Sequence, residues 1–250
     1  VAPQDVIAQS GAEILRLLVA MVDYREEIRL GKQILARVIE AYRKIRNTMR
    51  YLVANLYDFD PAVHLLPAEE LEEVDRYILA KYAEVAGQIL KAYDEYDYPS
   101  VFQAVNSFMT IELSSLYSDI SKDRLYTFAA TSRERRSAQT AMYIMVDGFT
   151  RLIAPILPVT GDELWRHLPA RPAHEPSVHI ALFPDPASVS AWHDTALMER
   201  WSALLALREA VLARIEPLRK DKQIGSSLQA RVVITGSDEA DRKSTRLNSS

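Results

Sequence analysis

The stretch AYRKIRNTMRYLVANLYDFDP, residues 41–61, decides the fold class. Together with Leu35 and Val38 just ahead of it, Tyr42, Ile45, Met49, Leu52 and Leu56 recur at alternating spacings of three and four. That repeat lines one stripe of an α-helix and sends it into a core. The other positions carry Arg37, Arg43, Lys44, Arg46, Asn47 and Arg50. Between residues 32 and 50, six bases (Lys32, Arg37, Arg43, Lys44, Arg46, Arg50) stand against one acid, Glu40, a local charge of +5 in a chain whose formal charge is -4. So concentrated a positive field on one helix face suits an anion.

Outward from this helix the pattern stays helical. Asp58, Asp60, Glu69, Glu70, Glu72, Glu73 and Asp75 precede the next base, Arg76, and acids favour the positive end of a helix dipole. Pro67 suits a first turn, so a second helix is predicted from near Ala68, with Leu71, Val74, Ile78, Tyr82, Val85 and Ile89 inward. Pro99 opens a third, with Phe102, Val105, Met109, Leu113, Leu116 and Ile120 on one side. The segment SDISKDRLYT, residues 118–127, lacks a clean period and reads as a helix end and ordered loop. Thr131 with Glu134 and Thr160 with Glu163 match capping boxes. The first opens a helix through Ala138, Ala141, Met145, Leu152 and Ile156; the second opens a short one carrying Leu164, Trp165 and Leu168.

Residues 35–56, 71–93, 102–120 and 138–153 are therefore expected to form one antiparallel bundle within a domain spanning 30–168, preceded by a linker at 1–29. Residues 169–191 hold Pro169, Pro172, Pro176, Pro184 and Pro186 and read as a connector. Inside it Val178, Ile180 and Leu182 alternate as a short strand would. At 192–236 a helix with Leu197, Trp201, Leu204, Val211, Ile215 and Leu218 inward leads to a strand at 228–235 through Val232, Val233 and Ile234. The fold class is thus mainly α, with a small, incomplete α/β appendage. Residues 237–250, nearly devoid of apolar side chains, are expected to be disordered or foreign.

Composition narrows the function. There is no cysteine, which excludes disulfides, thiolate nucleophiles and thiolate zinc sites within the chain. No apolar run suits a membrane span, and residues 1–13 lack the regions of a signal peptide, so a cytoplasmic location without membrane contact is expected. His64, His167, His174, His179 and His193 never fall at an i, i+4 metal spacing, and the seven glycines form no phosphate-cradling loop. No catalytic residue, metal site or cofactor is assigned. The chain opens without methionine just ahead of a helical pattern, and reads as a segment of a longer protein.

The basic clusters carry the remaining signal. Besides the helix at 32–50 there are Lys122, Arg124, Arg133, Arg135 and Arg136 against Asp123 and Glu134, and a further run from Arg208 to Lys222. Solvated charge alone accounts for such patches in a scaffold domain. Several of them on an acidic chain fit a long polyanion, with Arg43, Lys44, Arg46, Arg50, Lys122 and Arg124 on phosphates, and Asn47 and Tyr126 able to address bases.

The run at 41–61 also resembles the start of the helical anticodon-binding domain of bacterial isoleucyl-tRNA synthetases. LYSDISKDRLYT (116–127), IAPILPVTGDELW (153–165) and IGSSLQARVVI (224–234) point the same way, and the opening VAPQDVIAQSGAEILRLLVAMVDYREEIR resembles the segment just after the KMSKS loop in that family. Valyl and leucyl synthetases share the fold, but the KIRNT and KDRLY forms are most similar to the isoleucyl type. The resemblance implies a monomer that binds isoleucine-type tRNA by its anticodon arm. It places the activating chemistry, with its ATP and magnesium, upstream of Val1, and zinc in the cysteine-ligated module that ends many members.

Overall fold

Helix α3 (Lys32–Ala54) carries the stripe read from the sequence. The computed structural model describes residues 2–22, 31–169, 175–226 and 229–234; residues 23–29 of the expected linker and the expected tail at 237–250 lie outside them. Of the predicted stripe, Val38, Ile45, Met49, Leu52 and Leu56 are buried and Leu35 and Tyr42 pack half-buried against them. Leu52 has no exposed surface, so Leu52→Ala is expected to cost about 2–5 kcal/mol of stability in a denaturant titration. An unchanged midpoint would mean that this face is not the buried one.

The chain divides into two compact units, residues 1–198 and 199–250. In the first, α1 (Pro3–Ser10) and α2 (Ala12–Met21) are separated by Gly11, whose φ of 88° is open to glycine and strained for other residues. The short helix α4 (Pro61–His64) comes after α3, its first turn capped by Asp60. The predicted start near Ala68 is a single 3-10 turn (Ala68–Glu70), and α5 (Glu73–Asp94) begins after it. Helix α6 (Tyr98–Ser107) carries Pro99 in its first turn, with Asp97 as its cap.

Two sequence expectations change beyond this point. Residues Phe108–Tyr117 form a π-helical segment, supported by the Ser115 hydroxyl donating to the carbonyl of Thr110 five residues back at 2.8 Å. The wider turn rotates the apolar face, so that Tyr117, Ser121 and Leu125 turn inward and Ile120, expected in the core, is exposed. Residues 118–127, expected to be a helix end and loop, are instead the regular helix α7 (Ser118–Thr127). Helix α8 (Arg133–Ile153) is capped by Ser132 rather than Thr131, and α9 (Pro158–His167) comes next.

Helices α3, α5, α6 to α7 and α8 make up the antiparallel bundle. Helices α5 and α8 approach closely at Gly148. A Cβ on Gly148 would lie 1.8 Å from the Tyr82 hydroxyl, so only glycine lets Tyr82 lie flat there and meet Phe149 edge-on at 5.4 Å.

The described part of the proline-rich stretch, residues 175–191, lies on the bundle. Trp165 Nε1 donates to the carbonyl of Glu175 at 2.7 Å, Phe183 stacks on Tyr93 at 5.2 Å, and α10 (Pro186–Ser190) packs against α5. The strand expected at Val178, Ile180 and Leu182 is absent; residues 178–180 turn, and no neighbouring strand among the described residues offers the ladder partners that an extended segment needs.

Helix α11 (Thr195–Lys220) provides most of the second unit. Ile215 is buried there, whereas Leu218, near Pro217, is exposed. Of the strand expected at 228–235, the described residues 229–234 are not in a sheet. The appendage is helical rather than α/β among the described residues, for the same want of a partner strand. None of the helices among the described residues is long and apolar enough to cross a membrane.

Candidate nucleic-acid interface

The buried stripe of α3 fixes where its charges go. Arg43, Lys44, Asn47 and Arg50 are all exposed along one outer face, as the spacing predicts. Among the described residues Arg43 has only a loose intrahelical partner, Glu40 at 3.4 Å, with both side chains more than half exposed. The face is therefore cationic and open, and such solvated groups exchange a water shell for phosphate at little cost. Asn47 makes no side-chain hydrogen bond among the described residues, so its amide is free to donate and accept.

Arg46 belongs to a different arrangement. Its guanidinium grips Glu163 of α9 with two contacts, at 2.6 and 2.7 Å. The bond to Arg46, helped by its charge, holds the Glu163 carboxyl below the usual range. Arg46 thus ties α3 to α9 and flanks the open face as a brace.

Helix α9 owes its start to a residue far away in the chain. Thr160 and Glu163 do not form the expected capping box, because the helix begins at Pro158 and Leu157 has no side-chain cap to offer. Instead Glu13 of α2 accepts from the backbone N–H groups of Val159 at 2.8 Å and Thr160 at 2.9 Å, and from the Thr160 hydroxyl. A carboxylate there satisfies orphan donors and meets the positive end of the helix. Tyr42 bonds to the same group, and Arg16 donates to the carbonyls of Ile156 and Pro155. Helices α2, α3 and α9 are clamped together behind the basic face.

The second basic cluster is mostly interior. Arg124, expected at the surface on a phosphate, is instead a structural ion-pair partner: its two terminal nitrogens donate to Asp75 at 2.7 and 2.9 Å, and Asp75 has no exposed surface. Tyr117 at 2.6 Å and Ser137 complete the carboxylate's shell. Burial works against the charge of Arg124, but the bond and charge of Asp75 outweigh it and its pKa rises. The arginine is needed because four donors converge on a carboxylate sealed from water.

Arg135 and Arg136 are likewise spent on the loop after α3. Arg135 clasps Asp58 at 2.6 and 2.9 Å, Gln139 donates to the same carboxylate at 2.7 Å, and Arg136 donates to the Asp58 carbonyl at 3.0 Å. Burial would raise the Asp58 pKa, yet the hydrogen bonds of Arg135 and Gln139 and the arginine charges bring it below its ordinary value. Arg133 reaches Glu70 and Glu72. On α7, Lys122 stays exposed beside Asp119 at 2.8 Å. Tyr126, also exposed, adjoins Tyr51 of α3, whose hydroxyl is pushed up to about 12 by burial first and by Tyr126 second.

The structure therefore brings Arg43, Lys44, Asn47 and Arg50 together on α3, leaves Tyr126 and Lys122 exposed on α7, and takes Arg46 and Arg124 into its own framework. A sequence profile of the anticodon-binding domain of tRNA ligases matches residues 75–234. The chain belongs to that family. Isoleucine–tRNA ligase of Geobacillus kaustophilus is 45% identical over 240 residues, 96% of this chain and 26% of the relative. That of Syntrophotalea carbinolica is 46% identical over 235 residues, 94% of this chain and 25% of the relative. The chain thus spans about a quarter of the length of these relatives. The family fold recurs in the crystal structure of the ternary complex of Agrobacterium radiobacter K84 agnB2 LeuRS–tRNA–LeuAMS, with a TM-score of 0.58 and 15% identity over 78% of this chain and 22% of that one.

Sequence reasoning missed three things here. Asp75 falls on the core stripe of α5, four residues from Leu71 and three from Ile78, which is the signal of a buried acid; its place in a run of acids hid it. Tyr57, 82% exposed at the exit of α3, was passed over within the turn. Glu13 gave no local signal, because its partners lie 146 and 147 residues away.

Proposed function

We propose that this chain is the anticodon-arm-binding part of an isoleucine–tRNA ligase, whose whole protein attaches isoleucine to its tRNA using ATP. The observation that carries the reading is about 45% identity to isoleucine–tRNA ligases over nearly all of the chain. The open cationic face of α3 supplies the physical means. ATP and magnesium belong to the activating chemistry elsewhere in such a protein, and zinc to a cysteine-ligated module. Among the described residues no group of three or more His, Asp and Glu side chains converges to hold a metal. The work of these residues is positional. Arg43, Lys44 and Arg50 take phosphates of the arm, Lys122 and Tyr126 extend the contact onto α7, and the Asn47 amide meets a base edge or sugar. The protein acts in the cytoplasm as a monomer.

A titration of the chain with isoleucine-type and unrelated tRNA transcripts across a salt series tests this. The isoleucine-type transcript should bind more tightly. Asn47→Ala should lower that preference by about five- to 150-fold, the worth of a good base contact of about 1–3 kcal/mol, with the salt slope and melting temperature unchanged. Equal binding of all transcripts by the parent chain would overturn the assignment to isoleucine tRNA, and a fall in melting temperature with Asn47→Ala would make Asn47 structural.

A further inference from the structure

Beyond the cationic face, one end of the bundle carries three exposed rings. Tyr57 is 82% exposed, Tyr126 66% and Phe128 45%. They come from two separate stretches, the exit of α3 and the exit of α7. One buried side chain fastens both. Arg135 donates through Nε to the carbonyl of Leu125 at 3.2 Å and through Nη1 to that of Ala130 at 3.2 Å, the backbone on either side of Tyr126 and Phe128. Its Nη2 reaches the Tyr57 hydroxyl at 3.5 Å, and its guanidinium carbon lies 5.8 Å from the centre of the Tyr57 ring. Arg135 is itself locked by Asp58, so the rings stand on a rigid mount.

We infer that Tyr57, Tyr126 and Phe128 form a stacking platform for unpaired RNA bases, next to the phosphate-binding face of α3. This rests on the tRNA-binding reading given above and names a part of that site. Three features favour bases over other occupants. The Tyr57 ring lies by a cation on one side and is otherwise open, and a ring with one free face is what a base needs in order to stack. The platform adjoins the cationic face, since Tyr57 lies just past the end of α3, the helix whose outer side carries Arg43, Lys44 and Arg50. Charged side chains border this stretch, with Lys122 and Asp123 ahead of Tyr126 and Arg133 after Phe128, unlike the wholly apolar patch of a protein-docking surface. Stacking is tolerant of base identity, so this end supplies affinity for an open loop, and discrimination falls to groups such as Asn47.

The test compares a stem-loop RNA, with 2-aminopurine among the unpaired bases of its loop, against a blunt duplex of the same stem. Both are titrated with the full 250-residue chain and with Tyr57→Ala, Tyr126→Ala, Phe128→Ala and Tyr57→Phe. The stem-loop is expected to bind more tightly than the duplex, with quenching of the 2-aminopurine. Each alanine variant should weaken the stem-loop by about five- to 150-fold at an unchanged salt slope, and leave the duplex unaffected. Tyr57→Phe, which keeps the ring, should bind like the parent. Stem-loop binding that survives all three alanines overturns the platform and leaves the cationic face standing. Binding of neither RNA by the parent chain overturns both readings. Alanine variants that change the sedimentation of the protein without changing RNA binding would make this end a contact between copies, and also overturn it.

Discussion

Asp75→Ala is expected to lower the unfolding free energy by about 3–5 kcal/mol, the usual result of removing one partner of a buried ion pair, and the melting temperature by on the order of 10 °C. The carboxylate has no exposed surface and collects bonds from both terminal nitrogens of Arg124, from Tyr117 and from Ser137. Its loss takes the charged partner from a largely buried cation and the short bonds from two buried hydroxyls, leaving Arg124 the carbonyl of Glu134 at 3.3 Å and Tyr117 that of Ala138 at 3.4 Å. The node also joins four elements, because Asp75 opens α5, Tyr117 ends the π-helical segment, Arg124 lies on α7 and Ser137 on α8. Arg124→Ala should be costly for the mirror reason. Replacing both Asp75 and Arg124 with apolar residues of similar size should cost less than the two single changes together, since no charge is then left alone. Melting curves of the three variants decide the matter. If Arg124→Ala melts like the parent and instead reduces the salt slope of RNA binding, Arg124 is a phosphate contact and the core assignment fails.

The largest functional effect should come from neutralising Arg43, Lys44 and Arg50 together. Each phosphate contact contributes about 0.7 to 0.9 to the slope of log affinity against log salt. Three lost contacts flatten the slope by about 2 to 2.7, which at about 0.1 M salt is a loss of two to three orders of magnitude if the affinities meet near 1 M. All three side chains are exposed, so the melting temperature should stay within a degree or two of the parent. Adding Arg46→Ala should behave differently. That arginine is joined to Glu163 across α3 and α9, and its removal should loosen α9 slightly while taking little more from the slope. A triple variant that binds tRNA with the parent's slope would remove α3 as the docking surface.

The periodic helices were legible because burial selects spacing, and spacing is written in the sequence; the stripe from Val38 to Leu56 and the face opposite it determine one another. What escaped was set by tertiary contact. The π-helical turn at Phe108–Tyr117 shifts the register without leaving a mark in apolar spacing, so Ile120 was placed inward. The segments near Val178 and Val232 have strand-like residues, but β-propensity describes fit to a sheet, and no sheet is there to receive them among the described residues. The basic cluster around Arg124 and Arg135 looked like a surface patch because charge in a sequence does not reveal its partners. Those partners, Asp75 and Asp58, lie 49 and 77 residues away. On α3, Arg43, Lys44, Asn47 and Arg50 are exposed as their spacing predicts, whereas Arg46 meets Glu163, 117 residues away.

The carboxylate of Glu13 at the start of α9 has a consequence for how the bundle opens. A cap made from within a helix survives as long as the helix does, but this one is held across 146 residues of chain and is gained only when that long loop has closed. The first turn of α9 therefore cannot order early in folding, and in the native state it frays only when α2 lifts away. Through Tyr42, which shares the same carboxylate, α3 is drawn into the event. The three helices make one cooperative opening unit, so a disturbance at α2 reaches the flank of the cationic face as a whole-body loosening instead of dying out within a turn.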